Sequence, residues 1–460
     1  MASAAEQLAA NMNIGSFARA KELHKRLLFT LMALIVYRVG TYIPIPGINS
    51  QAFLDFFGNP DQQRGILDMF NMFSGGAVER MAVFALNVMP YISASIIVQL
   101  MGAVYGPWEK LKKEGGEAGR KQLNQYTRYL TVVLAIAQSF GIAMGLQNSQ
   151  GMVDQPGMFF VLTTVVTLTG GTMFLMWLGE QVTARGVGNG ISLIIFAGIV
   201  AVLPGTIGRL LGLAREGQIS AFALLFITVL AIAVVVFIVF MERAQRRLLI
   251  QYPKRQQGNR MVGGENSFLP LKVNTAGVIP AIFASSLLML PTTVAAMAPS
   301  ANMPPWVQWL VGQMQHGQPV FMVFYGALII FFCFFYTSIT FNPEDTAENL
   351  RKYGGFLPGI RPGKRTAEYL DYVLTRLTTI GAAYIAAVCL LPEILIANFG
   401  AGGVILGGTS ILIVVSVTMD TVAQIQSQLL AHQYEGLIKK AKLRGRGKTP
   451  GKGVTAPARR

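Results

Sequence analysis

The sequence is poor in charged residues: only 13% of its 460 residues are Asp, Glu, Lys or Arg. That share is about half of what a soluble domain carries, which argues against an ordinary soluble globular protein. Apolar residues make up 52% of the chain, and the mean hydropathy is +0.48. Long apolar runs recur along most of the length, so a polytopic membrane protein is predicted.

Cysteine and histidine are also scarce. The two cysteines, Cys333 and Cys389, both lie inside apolar runs. There they are expected to be small buried hydrophobic residues rather than part of a disulfide or a metal site. The three histidines, His24, His316 and His432, are scattered along the chain, and no zinc-protease helix motif occurs. No metal is therefore predicted.

Nucleotide-binding motifs are missing as well. The stretch GVGNG at residues 186–190 has the wrong spacing for a dinucleotide fingerprint. Lys448-Thr449 resembles the end of a P-loop, but Lys442 stands where the first glycine of that motif belongs. We predict no cofactor and no enzymatic activity, so energy must come from a partner or a gradient.

Ionisable residues are nearly absent from the predicted membrane segments. Arg38, Glu180, Arg376 and Asp420 are the only charges that we place within or bordering them. The last three fall near predicted cytoplasmic ends, and Arg38 can extend toward the outer surface. No carboxylate is expected at mid-membrane, which argues against a proton or sodium symporter.

Ten apolar runs approach the roughly 20 residues that a helix needs to cross the hydrocarbon core. Pro204 interrupts the fifth run, and Pro280 and Pro291 lie in the seventh. Such prolines are tolerated where neighbouring helices or a wet cavity satisfy the freed backbone groups. The predicted spans are Leu27–Ile45, Met81–Val104, Tyr129–Leu146, Gly157–Leu178, Gly190–Leu210, Ile219–Met241, Val273–Met297, Val320–Phe341, Tyr372–Leu391 and Val404–Leu429.

Lysine and arginine are concentrated before the first span, after the second, sixth and eighth spans, and in the tail. The opposite loops hold only Arg64, Arg80, Arg209 and Arg215. The positive-inside rule then predicts that both termini and all the basic loops are cytoplasmic. Most of the net charge of +16 follows from this asymmetry.

Ten spans divide into five and five. Two repeats of odd span number must have opposite orientations in the membrane, and a pathway between such halves is a common transporter plan. No convincing sequence identity relates the two halves, so the inverted repeat is inferred from span parity alone.

A short apolar segment, Ile66 to Phe73, precedes the second span. It is rich in Met and Phe, is far too short to cross a bilayer, and ends at Ser74-Gly75-Gly76, where a helix should break. From these residues alone, a re-entrant or interfacial helix is the simplest interpretation.

Several long blocks of the sequence resemble the SecY family, the channel subunits of the bacterial protein translocase. The resemblance runs from about Phe17 to Lys442. The blocks are YRVGTYIPIPGI from Tyr37, FNMFSGG from Phe70, MPYISASI from Met89, KKEGGEAGRKQLNQYTRY from Lys112, GTMFLMWLGEQVTARGVGNGIS from Gly171, KVNTAGVIPAIFASS from Lys272 and GIRPGKRTAEYL from Gly359.

The resemblance implies an all-α membrane protein in which two pseudo-symmetric, inverted five-helix halves form a clamshell around a central pore. It implies a lateral gate to lipid between spans two and three on one side and seven and eight on the other. The implied organisation is residues 1–26 as a cytoplasmic segment, 27–210 as the first half with a plug at 66–76, 211–242 as hinge and span six, 243–272 as a basic loop, 273–341 as spans seven and eight, 342–371 as a docking loop, 372–429 as spans nine and ten, and 430–460 as a basic tail.

Two site assignments at the pore follow from the resemblance. The plug, a short helix that caps the closed pore, corresponds to Ile66, Leu67, Met69, Phe70, Met72 and Phe73, with Gly75 and Gly76 as a joint that lets it swing out. An apolar ring at the narrowest point corresponds to Val88, Ile92, Ile191, Ile195, Ile282 and Ile413. Val88 departs from the usual isoleucine, so this ring is one methylene smaller there.

The resemblance also implies partners. They are the SecE and SecG subunits, the SecA ATPase, a translating ribosome, signal peptides and nascent chains, and membrane lipid, with the protein in the bacterial cytoplasmic (inner) membrane. Contacts to SecA or to ribosomal RNA are assigned to Arg246, Arg247, Lys254, Arg255, Arg361 and Lys364. Guanidinium groups suit both carboxylate and phosphate partners.

Two other classes of function remain as alternatives. A solute transporter with inverted repeats would need polar substrate-binding groups at mid-membrane, and few are found. A non-conducting scaffold or insertase would not need an apolar ring or a plug. Moving a signal-bearing precursor into liposomes with SecA and ATP discriminates among the three.

Overall fold

The structure is a computed structural model of the chain. It describes residues 21–49, 51–52, 71, 73–113, 115–147, 151–217, 220–253, 255–257, 260–262, 266–297, 309, 312–313, 318–399 and 408–445. Most of the predicted plug and the end of the basic tail lie outside these residues.

Helices dominate the described chain. They are α1 (Lys21–Gly40), α2 (Met89–Val104), α3 (Gly106–Lys113), α4 (Gly116–Gln147), α5 (Met158–Arg185), α6 (Gly190–Arg215), α7 (Ala221–Arg243), α8 (Ile279–Met297), α9 (Pro319–Thr340), α10 (Pro343–Lys352), α11 (Lys364–Phe399) and α12 (Gly408–Gly445). Four strands lie between α7 and α8: β1 (Gln245–Gln251), β2 (Arg255–Gln257), β3 (Arg260–Val262) and β4 (Asn266–Lys272).

Each of the ten predicted spans falls on a helix. In order, these are α1, α2, α4, α5, α6, α7, α8, α9, α11 and α12. Within the described residues, seven helical segments are long and apolar enough to cross a membrane, and Met89–Val104 and Ile279–Leu288 are shorter apolar helices. Pro204 does not break the fifth span, because α6 runs through it.

The second span differs from its prediction. Residues 74–88 form consecutive turns rather than helix, and α2 begins only at Met89. Its 16 residues reach about 24 Å, less than the hydrocarbon thickness. The turns are buried in protein and paired, for example by the amide of Val83 donating to Ile43 O at 2.9 Å and that of Ile45 donating to Met81 O at 3.0 Å. Irregular backbone at membrane depth requires such internal pairing.

The two halves pack against each other along two seams. On one side α8, from the second half, lies against α2 and α4 of the first. On the other side α12 packs against α6 and α1. A single large cluster of buried apolar side chains extends through both halves, so the halves share one continuous core.

The two long basic loops fold together, which sequence analysis did not foresee. β1 pairs antiparallel with β4, Leu248 opposite Leu269, and Gln251 bridges to Phe356 in the second loop with hydrogen bonds of 2.9 and 3.0 Å. Leu248 and Leu357 are buried with the fully covered Leu370 at the start of α11. We call β1 to β4, the segment 353–363 and the first turns of α11 the hairpin module.

The GVGNG stretch is a junction between helices. The amide of Val187 donates to Thr30 Oγ1 on α1 at 3.1 Å, and the amide of Gly188 donates to Gln424 Oε1 on α12 at 2.9 Å. Gln424 belongs to the second half, so this contact ties the halves together beside the α6–α12 seam. The GVGNG stretch therefore connects helices, and its glycines do not mark a nucleotide site.

A glycine at the start of α6 allows it to approach α5 closely, which yields a stability prediction. A Cβ on Gly190 would collide with the carbonyl oxygen of Gly179 and stand 2.9 Å from Val182 Cβ. We expect Gly190→Ala to destabilise the protein by about 1–3 kcal/mol, as overpacking of a tight contact does. The matched control is Gly208→Ala in the same helix, where an added Cβ meets nothing within 4 Å. Thermal unfolding of the purified variants measures the effect, and equal midpoints for the two would contradict the account.

Candidate functional site

All six residues assigned to the ring meet in the cluster between the halves. They come from or adjoin four helices, α2, α6, α8 and α12, two from each half. The buried members are Val88, Ile92, Ile195 and Ile413, and the partly buried Ile191 and Ile282 pack against the cluster. The structure therefore brings the six side chains into one apolar region, although its role in conduction stays a prediction.

The start of α2 determines the positions of the Val88 and Ile92 side chains. Val88 is the N-cap residue, with φ −95° and ψ 11°, and Pro90 occupies the first turn, where its missing N–H costs no hydrogen bond. The amide of Ile92 donates to Val88 O at 3.0 Å, so the i,i+4 relation between the two side chains is kept. Pro90 therefore lies at the start of the helix rather than inside it.

The start of α6 is fixed by an asparagine cap. Asn189 Oδ1 accepts from the amide of Ile191 at 3.2 Å and from that of Ser192 at 3.5 Å. Side-chain oxygens at this position satisfy amides that the helix itself leaves unpaired. On the other side, an added Cβ on Gly179 would stand 2.9 Å from Ile191 Cγ1. These two contacts fix the start of α6 and the position of Ile191, and Ile195 follows one turn later on the same face.

The second half supplies its ring positions in a similar way. α8 begins at Ile279-Pro280, and the hydroxyl of Ser285 donates to Ile282 O at 2.9 Å. Ser286 Oγ lies 4.0 Å from Met89 Sδ, so α8 touches α2 directly across the seam. Ile413 on α12 is fully buried.

Only the end of the predicted plug is described. Phe73 is 1% exposed and belongs to the same cluster as the ring positions. Gly75 and Gly76 have φ of +71° and +83°, in the left-handed region that favours glycine. Ile66, Leu67, Met69, Phe70 and Met72 lie outside the described residues.

The predicted docking residues lie on the hairpin module where they are described. Arg361 is exposed, and its carbonyl oxygen accepts from Thr366 Oγ1 at 3.0 Å, which fixes the turn that presents the guanidinium. Exposed side chains are also found at Arg246, Arg247 and Lys364. Lys254 lies outside the described residues, and of Arg255 only the backbone, in β2, is described.

Sequence reasoning overlooked two carboxylates and the hydrogen-bond partner of one arginine. Glu393 is buried inside α11, and Glu242 near the end of α7 accepts from Asn274 Nδ2 at 2.6 Å. Glu242 lies one residue and Glu393 two residues beyond the end of a predicted span. Their position at the borders of spans was visible in the sequence. Arg38 is half-buried: its Nη1 donates to Gly75 O at 2.6 Å and its Nη2 to Tyr42 Oη at 3.1 Å.

The family model for SecY matches residues 82–422. The protein translocase subunit SecY of Escherichia coli strain K12 is 53% identical over 431 residues, which is 93% of this chain and 96% of that relative. The match therefore extends over the spans, both seams and the hairpin module. This chain belongs to the SecY family.

Solved structures give the fold of this SecY-family chain independently. One, described as showing that the plug domain of the SecY protein stabilises the closed state of the translocation channel and maintains a membrane seal, has a TM-score of 0.63 at 18% identity and covers 88% of this chain and 92% of that one. Sec61 in the canine ribosome-channel complex from the endoplasmic reticulum has a TM-score of 0.60 at 17% identity, with the same coverage. The predicted ten-helix clamshell is confirmed.

Family membership establishes the general function. The protein is the channel-forming subunit of a protein translocase and a multi-pass membrane protein. Its relatives are transport proteins, in agreement with the transport role expected from the sequence.

Proposed function

We propose that Val88, Ile92, Ile191, Ile195, Ile282 and Ile413 form the constriction through which an unfolded polypeptide passes. The observation that carries this proposal is that the six side chains, drawn from both halves, meet in one apolar cluster at the seam. Separating α2 from α8 would open that cluster sideways as well as along the channel axis. One movement then serves both secretion and the release of a transmembrane segment into lipid.

An apolar ring suits this task on physical grounds. It offers a moving chain no hydrogen bonds to which it could adhere. It also closes by dewetting, since a narrow apolar constriction excludes water and the ions that water carries. Valine at position 88 makes the ring slightly wider at one point. A second seal must then contribute more to closing the channel.

The second seal in this proposal is the plug, residues 66–73. An apolar helix can lie against an apolar constriction without leaving polar groups unpaired. Phe73, its last residue, is buried in the same cluster as the ring positions. A solved relative of the same fold is described as having a plug domain that stabilises the closed state.

The exposed arginines of the hairpin module are proposed to dock the driving partner, either SecA or a translating ribosome. The rigidity of the module supports this role, because β1, β4 and the start of α11 share one buried core. Because Arg361 lies three residues before α11, a partner bound at Arg361 would act directly on that helix. The canine relative is described as a ribosome-channel complex, and salt-dependent affinity for ribosomal RNA is expected of such a basic surface.

The remaining partners and the location complete the proposal. SecE and SecG would accompany the chain in the bacterial cytoplasmic membrane, with both termini cytoplasmic as the basic loops predict. Signal peptides would enter at the seam between α2 and α8 and meet lipid there. The chain itself would catalyse no reaction, and SecA or protein synthesis would supply the energy.

The ring assignment is tested by conductance. We expect Ile92→Ser and Ile282→Ser to raise resting ion conductance in planar bilayers and to relax the need for a strong signal sequence, because a hydroxyl favours water in the constriction. Ile385→Ser is the control: it changes a fully buried isoleucine of the same cluster that is not a ring position. Unchanged conductance in the ring variants, or an equal rise in the control, would refute the assignment.

The docking assignment is tested by reversing one charge. We expect Arg361→Glu to abolish SecA-driven transport of a precursor into vesicles while thermal unfolding shifts by less than about 0.5 kcal/mol, as for an exposed side chain. Lys352→Glu on α10, also exposed, makes the same change in net charge on a neighbouring helix and should transport normally. Normal transport by Arg361→Glu, or failure of that variant to accumulate, would count against a docking role.

A further inference from the structure

Three consecutive carbonyl oxygens at the end of the plug segment each accept a hydrogen bond from a different side chain. Phe73 O accepts from Asn87 Nδ2, Ser74 O accepts from Tyr37 Oη at 3.1 Å, and Gly75 O accepts from Arg38 Nη1 at 2.6 Å. Two donors lie on α1, and the third immediately precedes Val88 at the start of α2. We call Tyr37, Arg38 and Asn87 the clasp.

These carbonyls need outside partners for a general reason. The last carbonyls of a helix have no amide within the helix to pair with. Here the amide of Gly76 donates to Asn71 O at 2.9 Å, and Gly75 and Gly76 both have positive φ, which is the glycine-terminated helix ending. That ending leaves the carbonyls of residues 73–75 pointing away from the helix, and the clasp satisfies all three.

Each donor is held in place before it binds. Tyr37 is fully buried, and its ring stacks on Phe84 with centroids 6.3 Å apart. The guanidinium of Arg38 lies 5.0 Å from the centre of the Tyr42 ring. Asn87 has φ +48°, a conformation that few residues other than glycine adopt, and its side chain donates to Phe73 O. Rigid donors lose little conformational entropy on binding, which strengthens the contacts.

α6 also approaches the joint closely. An added Cβ on Gly198 of α6 would stand 2.6 Å from Phe73 O and 2.9 Å from Tyr37 Oη. Only a glycine allows α6 to approach so closely. In this structure the joint at Gly75 and Gly76 is therefore bound by α1, by Asn87 before α2 and by α6.

We propose that the clasp is a latch that couples the lateral gate to the plug. This inference rests on the proposed gate and plug, and it adds the residues that connect them. Asn87 stands two residues before α2, the gate helix that touches α8. When α2 moves away from α8, Asn87 is carried with it and leaves Phe73 O without a donor. Of the three clasp hydrogen bonds, only the two donated by α1 then remain, and the plug is easier to displace.

The latch also explains why the resting state closes by itself. Displacing the segment would leave the buried hydroxyl of Tyr37 and the carbonyls of residues 73–75 without these partners. Buried polar groups left unpaired are costly, so the clasped arrangement is favoured until a signal peptide holds the gate apart.

The test uses two variants that each remove one donor. Tyr37→Phe removes only the hydroxyl, and Asn87→Gly removes the amide while tolerating positive φ. Tyr384→Phe is the matched control, because its buried hydroxyl has no hydrogen-bond partner among the described residues. All variants are measured as the full chain with its co-purified subunits, for resting conductance in planar bilayers, with Ile92→Ser as the positive control.

We expect each clasp variant to raise the resting open probability about fivefold, the factor that one hydrogen bond of about 1 kcal/mol corresponds to. Tyr384→Phe should leave it unchanged. If Ile92→Ser conducts while the clasp variants stay closed, the latch is wrong and the channel proposal stands. If no variant conducts, including Ile92→Ser, the channel proposal itself has failed.

A second readout separates a latch from a mere support of the fold. Hydrogen exchange at the amides of residues 76–78 should accelerate in Asn87→Gly, while the amides of α5 keep their wild-type rates. Uniform acceleration across the chain would show general destabilisation and would overturn the proposal. Wild-type exchange at residues 76–78 would overturn it as well.

Discussion

Apolar contact between the two halves is the interaction on which the rest of the structure depends. The largest buried cluster extends through both halves and includes side chains of α2 and α6 from one half and of α8 and α12 from the other. Apolar contact is non-directional, so it closes tightly yet can be exchanged for contact with a signal peptide or with lipid at little cost. A seam rich in hydrogen bonds would have to leave polar groups unpaired each time it opened.

The two halves use the same local devices to build their side of this contact. α2 begins at Met89-Pro90 and α8 at Ile279-Pro280, and each carries a ring isoleucine two residues after its proline. α6 begins at Gly190 against the Gly179 carbonyl, and α12 begins at Gly408 against the Val388 carbonyl. These shared starts are the trace of the repeat that overall sequence identity does not reveal. A proline fixes where a helix begins, and a glycine fixes how closely it can approach the helix before it.

Much of the fold could be predicted from the sequence, because membrane spans are set by length and hydrophobicity alone. The six ring positions could be assigned only through the family resemblance, since Ile413 by itself looks like any core residue. The start of the second span was predicted eight residues too early, because the turns before Met89 are as apolar as a helix would be. The clasp could not be foreseen: Tyr37 and Ser74 are 37 residues apart in the chain, and tertiary packing alone brings them together.

The central claim is that α2 and α8 separate when the channel works. Met89 and Ser286 face each other across that seam, with Sδ and Oγ 4.0 Å apart. The most direct measurement places cysteines at both positions, crosslinks them in the resting channel and follows precursor transport before and after reduction, with each single cysteine as a control. The account predicts that the crosslink forms readily, that transport stops, and that reduction restores it. Full-rate transport by a completely crosslinked channel would contradict it.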